Sequence, residues 1–195
     1  MQAAGRTSIA LTSDRHVVSR ASLRWWFAAV ALAGLVADIV TKIVVVDRLD
    51  PAAPIRLLGG LLTLRLIRNP GAAFSLGERY TFIFALLSVA VLLFVLVRLA
   101  PRIGHPGWAV ALGLLVAGVA GNLTDRLFRA PGFLRGHVVD FLQLPHWPIF
   151  NVADMCITSA AVLIMVLSAV KNVGLDGERP PAVPKHRPEP APPGD

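Results

Sequence analysis

Four stretches of this chain, Trp25 to Val46, Tyr80 to Leu99, Trp108 to Leu123 and Val152 to Val170, are apolar over most of their length. Each comes close to or reaches the roughly 20 residues that a helix needs to cross a bilayer core. Nothing else constrains the chain as strongly, because in hydrocarbon every backbone N–H and C=O must find its partner within the spanning element. The spacing predicts an all-α integral membrane protein with four transmembrane helices. Hydrophobic residues make up 55% of the chain, charged residues only 16%, and mean hydropathy is +0.64, outside the balance of a soluble domain. The first stretch reads as a span and not a cleaved signal peptide, since a long segment precedes it and Asp38 and Lys42 lie within it.

The formal charge of +7 comes largely from arginines scattered over tails and loops. It lacks the clustered cations and interleaved aromatics of a nucleic-acid face, so flanking charge beside membrane spans is the reading and no nucleic-acid partner is expected. The single cysteine, Cys156, excludes an internal disulfide, and its neighbours Met155 and Ile157 suggest a buried small residue. The polar start and the proline-rich end cannot bury a core. This gives three parts: a disordered cytoplasmic N-tail (1–23), a four-helix membrane domain (24–171) and a disordered cytoplasmic C-tail (172–195). Arg6, Arg15, Arg20 and Arg24, then Arg98 and Arg102, then Lys171, Arg179, Lys185 and Arg187 fall on one side of an even number of spans. The positive-inside rule makes that side cytoplasmic, hence N-in and C-in. The bias is modest, because Arg48, Arg56, Arg65, Arg68 and Arg79 crowd the opposite loop.

In that loop Leu62, Leu64 and Leu66 alternate with Thr63, Arg65 and Ile67, which predicts a short strand and a small extracytoplasmic sheet. "RNPGAAFS" then supplies a turn at Pro70 and Gly71. With this topology the unusual polar residues converge at one depth. Asp38 and Lys42 lie one turn apart near the outer end of the first helix, Asn69 begins the turn before the second, "GNLTDR" ends the third and "FNVAD" begins the fourth, with "HVVDF" in the loop between.

Each has a modest alternative. Asp38 and Lys42 read equally as a neutralised i, i+4 pair or as substrate-facing groups. Asn151 fits a helix N-cap with Asp154 at the third position, near the positive end of the dipole. Asn122 and Asp125 repeat that spacing at a helix C-terminus, where an anion is disfavoured, so the adjacent Arg126 is the expected partner and Asp125 reads as structural. Capping does not account for Asp140, a second carboxylate close to Asp154 in the same outer loop region. Two carboxylates facing each other at an apolar rim share one proton and titrate as a unit. That state suits hydrolysis, one group activating water while the other donates to the scissile carbonyl. A Ser75–Lys42 nucleophile ranks below it, because Asp38 makes Lys42 a poor base. His137, Asp140 and His146 lack the spacing of a metal site, and no metal or other cofactor is expected.

"DIVTK", "RNPGAAFS", "GNLTDRL", "HVVDF" and "FNVAD", in that order on a four-span chain, resemble the bacterial lipoprotein signal peptidases, the type II signal peptidases. The resemblance covers roughly residues 24–170. It implies an intramembrane aspartyl endopeptidase that removes the signal peptide from prolipoproteins on the N-terminal side of a diacylglyceryl-modified cysteine, at the outer leaflet, with prolipoproteins and membrane lipids as partners. It implies Asp140 and Asp154 as the catalytic pair, and Asp38, Lys42, Asn69, Asn122, Asp125, Arg126 and Asn151 as residues that orient the pair or contact substrate. It also implies a small extracytoplasmic sheet and a short helix acting as cradle and lid. One departure is visible: "LFRAPGFLR", between the third and fourth motifs, is longer than usual. An ion-coupled transporter would share the buried Asp and Lys, but four spans with polar groups at one rim offer no conduction path. A scaffolding membrane protein leaves the aspartate pair without a purpose.

Overall fold

The computed structural model describes residues 19–71 and 81–178. Four helices make up the membrane body. α1 runs Arg20–Arg48 and starts where Ser19 Oγ accepts a hydrogen bond from the Ser22 amide at 3.1 Å. α2 runs Thr81–Phe94 and continues through wider and tighter turns to Arg102. α3 runs Pro106–Phe128, with Pro106 in its first turn and His105 Nδ1 accepting from the Gly107 amide. α4 runs Val152–Met165 and continues as a widened turn to Val170. All four are long and apolar enough to span a membrane, and each contains or overlaps the span expected for it. Their apolar exposure fits a lipid solvent: Val36, Val40, Ile43, Leu86, Leu87, Leu93, Val162 and Met165 all lie on the outside.

α3 is the central helix and packs on α1, α2 and α4. Most of its buried positions are small ones, Ala109, Ala111, Gly113, Ala117, Gly118 and Gly121, so backbones approach closely where lipid offers no hydrophobic drive between helices. Gly118 is the tightest. A Cβ there would lie 2.3 Å from the Ala153 carbonyl oxygen and 2.6 Å from Ile157 Cγ1 of α4. Gly118→Ala is therefore expected to lower stability by about 1–3 kcal/mol, read as a thermal melt in detergent, and to displace the start of α4. Gly132→Ala, with nothing within 4 Å, is the control and should leave the melt unchanged.

The sheet has three antiparallel strands in the order β1 (Ile55–Leu57), β2 (Leu62–Asn69) and β3 (Val138–Gln143). β2 contains the expected alternating strand. β3 differs from the expected loop: "HVVDF" is mostly strand, and Val138 to Phe141 are all buried. The reason is packing, since Val139 and Phe141 join Leu66 and Val45 in a core between the sheet and the end of α1. Both faces of the strand are therefore covered from Val138 to Phe141, Asp140 included.

α1 begins at Arg20 with Leu23 fully buried, and 172–178 fold back over the start of α3, where Trp108 Nε1 donates to the Val173 carbonyl and Gly104 N to the Leu175 carbonyl. The remaining tail residues, and Ala72 to Ser75 of the "RNPGAAFS" motif, lie outside the described residues.

Candidate active site

Three local arrangements bring Asp140 and Asp154 to one place. β3 pairs with β2 so that Ile67 lies opposite Asp140 and Asn69 opposite Val138. Asn69, diagonal to Asp140, then donates from Nδ2 to Asp140 Oδ2 at 2.9 Å. Its own Oδ1 accepts from the Gly71 amide at 2.8 Å, which fixes the side chain. Gly71 has φ 104°, and a Cβ there would meet the Phe84 ring at 2.8 Å, so the turn needs glycine. Next, Phe150 bridges back to Leu142, with N–H···O bonds of 2.9 and 2.8 Å in the two directions. That bridge sets the first turn of α4 beside β3. Finally, Asn151 and Asp154 form a reciprocal capping box: Asn151 Oδ1 accepts from the Asp154 amide at 3.0 Å and Asp154 Oδ2 from the Asn151 amide at 3.1 Å.

Asn151 joins the two carboxylates. It is wholly buried, and its Nδ2 donates to Asp140 Oδ1 at 2.6 Å and to Asn122 Oδ1 at 3.2 Å, so both amide hydrogens and the amide oxygen are used. Asn122 holds the other aspartate, donating from Nδ2 to Asp154 Oδ1 at 2.9 Å. Its Oδ1 also accepts from Lys42 Nζ at 3.1 Å, and a cation on the oxygen fixes which end of the amide faces Asp154.

Beneath lies a buried charge cluster. Lys42, 1% exposed, sits 2.8 Å from Asp38 Oδ2 and 2.8 Å from Asp125 Oδ2. Asp38 Oδ1 accepts from the Ala153 amide at 2.9 Å, so a carboxylate of α1 satisfies an open N–H at the start of α4. Asp125 Oδ2 accepts from the Val139 amide at 3.1 Å, tying the end of α3 to the strand that contains Asp140. The expected Asp125–Arg126 pairing is corrected here: Asp125 pairs with Lys42 and with Arg129, one turn along α3. Arg126 instead donates from a terminal nitrogen to the Asn122 carbonyl at 3.1 Å and stacks over Phe84, 5.7 Å from the ring centroid. The i, i+4 spacing of Asp125 and Arg129 is the signal that could have found this pair. Ser75 lies outside the described residues, and no group of three or more His, Cys, Asp or Glu side chains with metal-binding geometry occurs among the described residues.

The two aspartates differ in setting. Asp140 is 3% exposed, and Asp154 is half-buried. Burial raises Asp140 to about 6, against the opposing pull of the Asn69 hydrogen bond and with a smaller upward push from Asp154. Each aspartate opens on its own apolar cleft. The one at Asp140 holds about 400 Å³ between Ile67, Asn69, Pro70, Pro148 and Ile149. The one at Asp154 holds about 360 Å³ between Trp147, Phe150, Met155 and Thr158. An extended peptide with apolar side chains has room on both sides of the pair.

The model of the signal peptidase II family matches residues 30–170. The chain belongs to that family. Among relatives of the signal peptidase II chain, the lipoprotein signal peptidase of Leifsonia xyli subsp. xyli is 49% identical over 153 residues, covering 78% of this chain and 70% of that one. Those of Rhodococcus jostii and Mycobacterium tuberculosis are each 46% identical, over 145 and 140 residues, covering 74% and 72% of this chain and 72% and 69% of theirs. A bacterial membrane enzyme solved in meso at 1.9 Å superposes with a TM-score of 0.65 at 27% identity, covering 73% of this chain and 92% of that one. The chain is thus a multi-pass membrane protease of the signal peptidase II family.

Proposed function

We propose that this protein cleaves prolipoproteins on the N-terminal side of a diacylglyceryl-modified cysteine, by an aspartyl mechanism in which Asp140 and Asp154 act as a pair at the outer leaflet. The observation that supports it best is Asn151: one buried amide ties a carboxylate of β3 to a carboxylate capping α4, at the mouth of two apolar clefts.

Hydrolysis needs one protonated and one ionised partner. Burial keeps the proton on Asp140 up to about pH 6, which makes Asp140 the acid and Asp154 the base. Asp154 takes a proton from water as its oxygen bonds to the scissile carbonyl carbon, while Asp140 gives its proton to the carbonyl oxygen. Collapse of the resulting diol breaks the C–N bond: one hydroxyl returns its proton to Asp140 as it becomes the product carbonyl, and the proton held by Asp154 passes to the leaving amine. Asn69, Asn151 and Asn122 hold the carboxylates in place, while Lys42, Asp38 and Asp125 hold Asn122, α4 and β3. Arg126, above Asn122 and beside Phe84, is the substrate-facing cation. A substrate anchored by its own signal helix and acyl chains reaches this rim by lateral diffusion.

The test is cleavage by the purified protein of a prolipoprotein peptide with and without the diacylglyceryl group, with mass spectrometry of the product. The expected result is a new N-terminal lipid-modified cysteine from the modified peptide alone. On the acid–base assignment, kcat/KM should fall about tenfold per pH unit once pH exceeds about 6, as free Asp140 loses its proton. A flat profile from pH 5 to 8 would remove Asp140 as the acid. Absence of cleavage by folded protein would end the peptidase reading.

A further inference from the structure

A third, polar cleft of about 490 Å³ lies apart from both aspartates, between the β1–β2 hairpin and the loop after β3. Register builds its floor: Arg56 is opposite Thr63, and Thr63 is opposite Gln143, so the three form one row across the sheet. Arg65 and His146 complete the walls, and no carboxylate among the described residues lines the cleft. Both arginines are exposed, and neither has a hydrogen-bond or ion-pair partner among the described residues. These cations are part of the arginine excess that weakened the positive-inside reading.

The hairpin tip beside the cleft is apolar. Leu58 and Leu61 are 77% and 60% exposed, and Trp147 in the facing loop is 63% exposed. Leu58, Gly59 and Gly60 take φ of 48°, 68° and 95°, an arrangement costly for leucine that turns its side chain outward. Only residues 49–54 separate the hairpin from the end of α1, so the cleft lies next to the end of a membrane-spanning helix. Unpaired guanidinium groups next to exposed leucines match a molecule with a phosphate at one end and acyl chains at the other. An acidic peptide would use the arginines and leave the leucines in water.

We propose that this cleft binds the phosphate of an anionic phospholipid, with Arg56 and Arg65 on the phosphate and the Leu58–Leu61 tip seated in the acyl layer. The site is distinct from the aspartate pair and independent of its chemistry.

Native mass spectrometry of the detergent-solubilised full chain, titrated with phosphatidylglycerol, tests this. R56Q/R65Q should weaken binding about thirtyfold, the loss expected of two arginines at a lipid surface, while its thermal melt stays at the wild-type value. R98Q/R102Q, an exposed pair at the opposite end of the bundle, should bind as wild type. The proposal is overturned if R56Q/R65Q binds as wild type or if the control pair loses as much. It also fails if phosphatidylcholine or diacylglycerol binds equally well, or if inorganic phosphate or a polyglutamate peptide at the same concentration displaces the lipid.

Discussion

Asp154→Asn and Asp140→Asn proteins are expected to fold and yet to cleave a diacylglyceryl prolipoprotein peptide at least about 10³-fold more slowly than wild type. Asparagine keeps the shape and removes the exchangeable proton. Each variant also turns one accepted hydrogen bond into a facing pair of donors, because both oxygens of each aspartate accept N–H groups. A stability loss of about 1–3 kcal/mol follows, which a thermal melt separates from the catalytic loss. Asp140 leaves a further mark on stability. Its folded pKa lies above the unfolded value of 3.8, so the folded state binds more protons between about pH 4 and 6, and stability falls as pH rises through that window and then levels. Asp140→Asn should abolish that slope. A folded variant that retains near-normal cleavage would make its aspartate structural and leave Asp125 as the next candidate.

Lys42→Met is the second large effect. Lys42 is the cation between two carboxylates that are 0% and 3% exposed, and its removal leaves the buried Asp38 and Asp125 facing each other. Breaking a buried ion pair by deleting one partner costs about 3–5 kcal/mol, and here one deletion leaves Asp38 without a cation and Asp125 with Arg129 alone. Asn122 also loses the cation that sets its orientation, so Asp154 loses a fixed donor. The expected outcome is a sharply lowered melt, read by fluorescence in detergent, with little folded protein at growth temperature. Adding Asp38→Asn to Lys42→Met should recover part of the loss by removing one uncompensated charge. An unchanged melt in Lys42→Met would mean that the cluster contributes nothing to stability.

Much of this was legible before any tertiary contact was known. The four spans follow from apolar length, the β2 strand from two-residue alternation, and the Asn151–Asp154 cap from residue type and spacing at the start of an apolar run. The strand character of "VVDF" was harder to read, because an aspartate in a short segment resembles a loop until the core formed by Val139, Phe141, Leu66 and Val45 is seen. Asp125 was paired with its sequence neighbour, although adjacent residues on a helix point in different directions.

By itself, the sequence determined that this chain lies in a membrane with four spans and that its polar side chains gather at one end, since hydrocarbon admits only long apolar helices and expels polar groups to the rim or pairs them. The tertiary structure alone decided which distant groups meet: Lys42 with Asp125 and Asn122, Asn151 with Asp140, and Asp38 with the Ala153 amide. Those contacts join α1, α3, β3 and α4 across up to 115 positions in the chain, as between Asp38 and Ala153. Hydrogen bonds of about 3 Å depend on helix packing and strand register, which residue order does not encode locally.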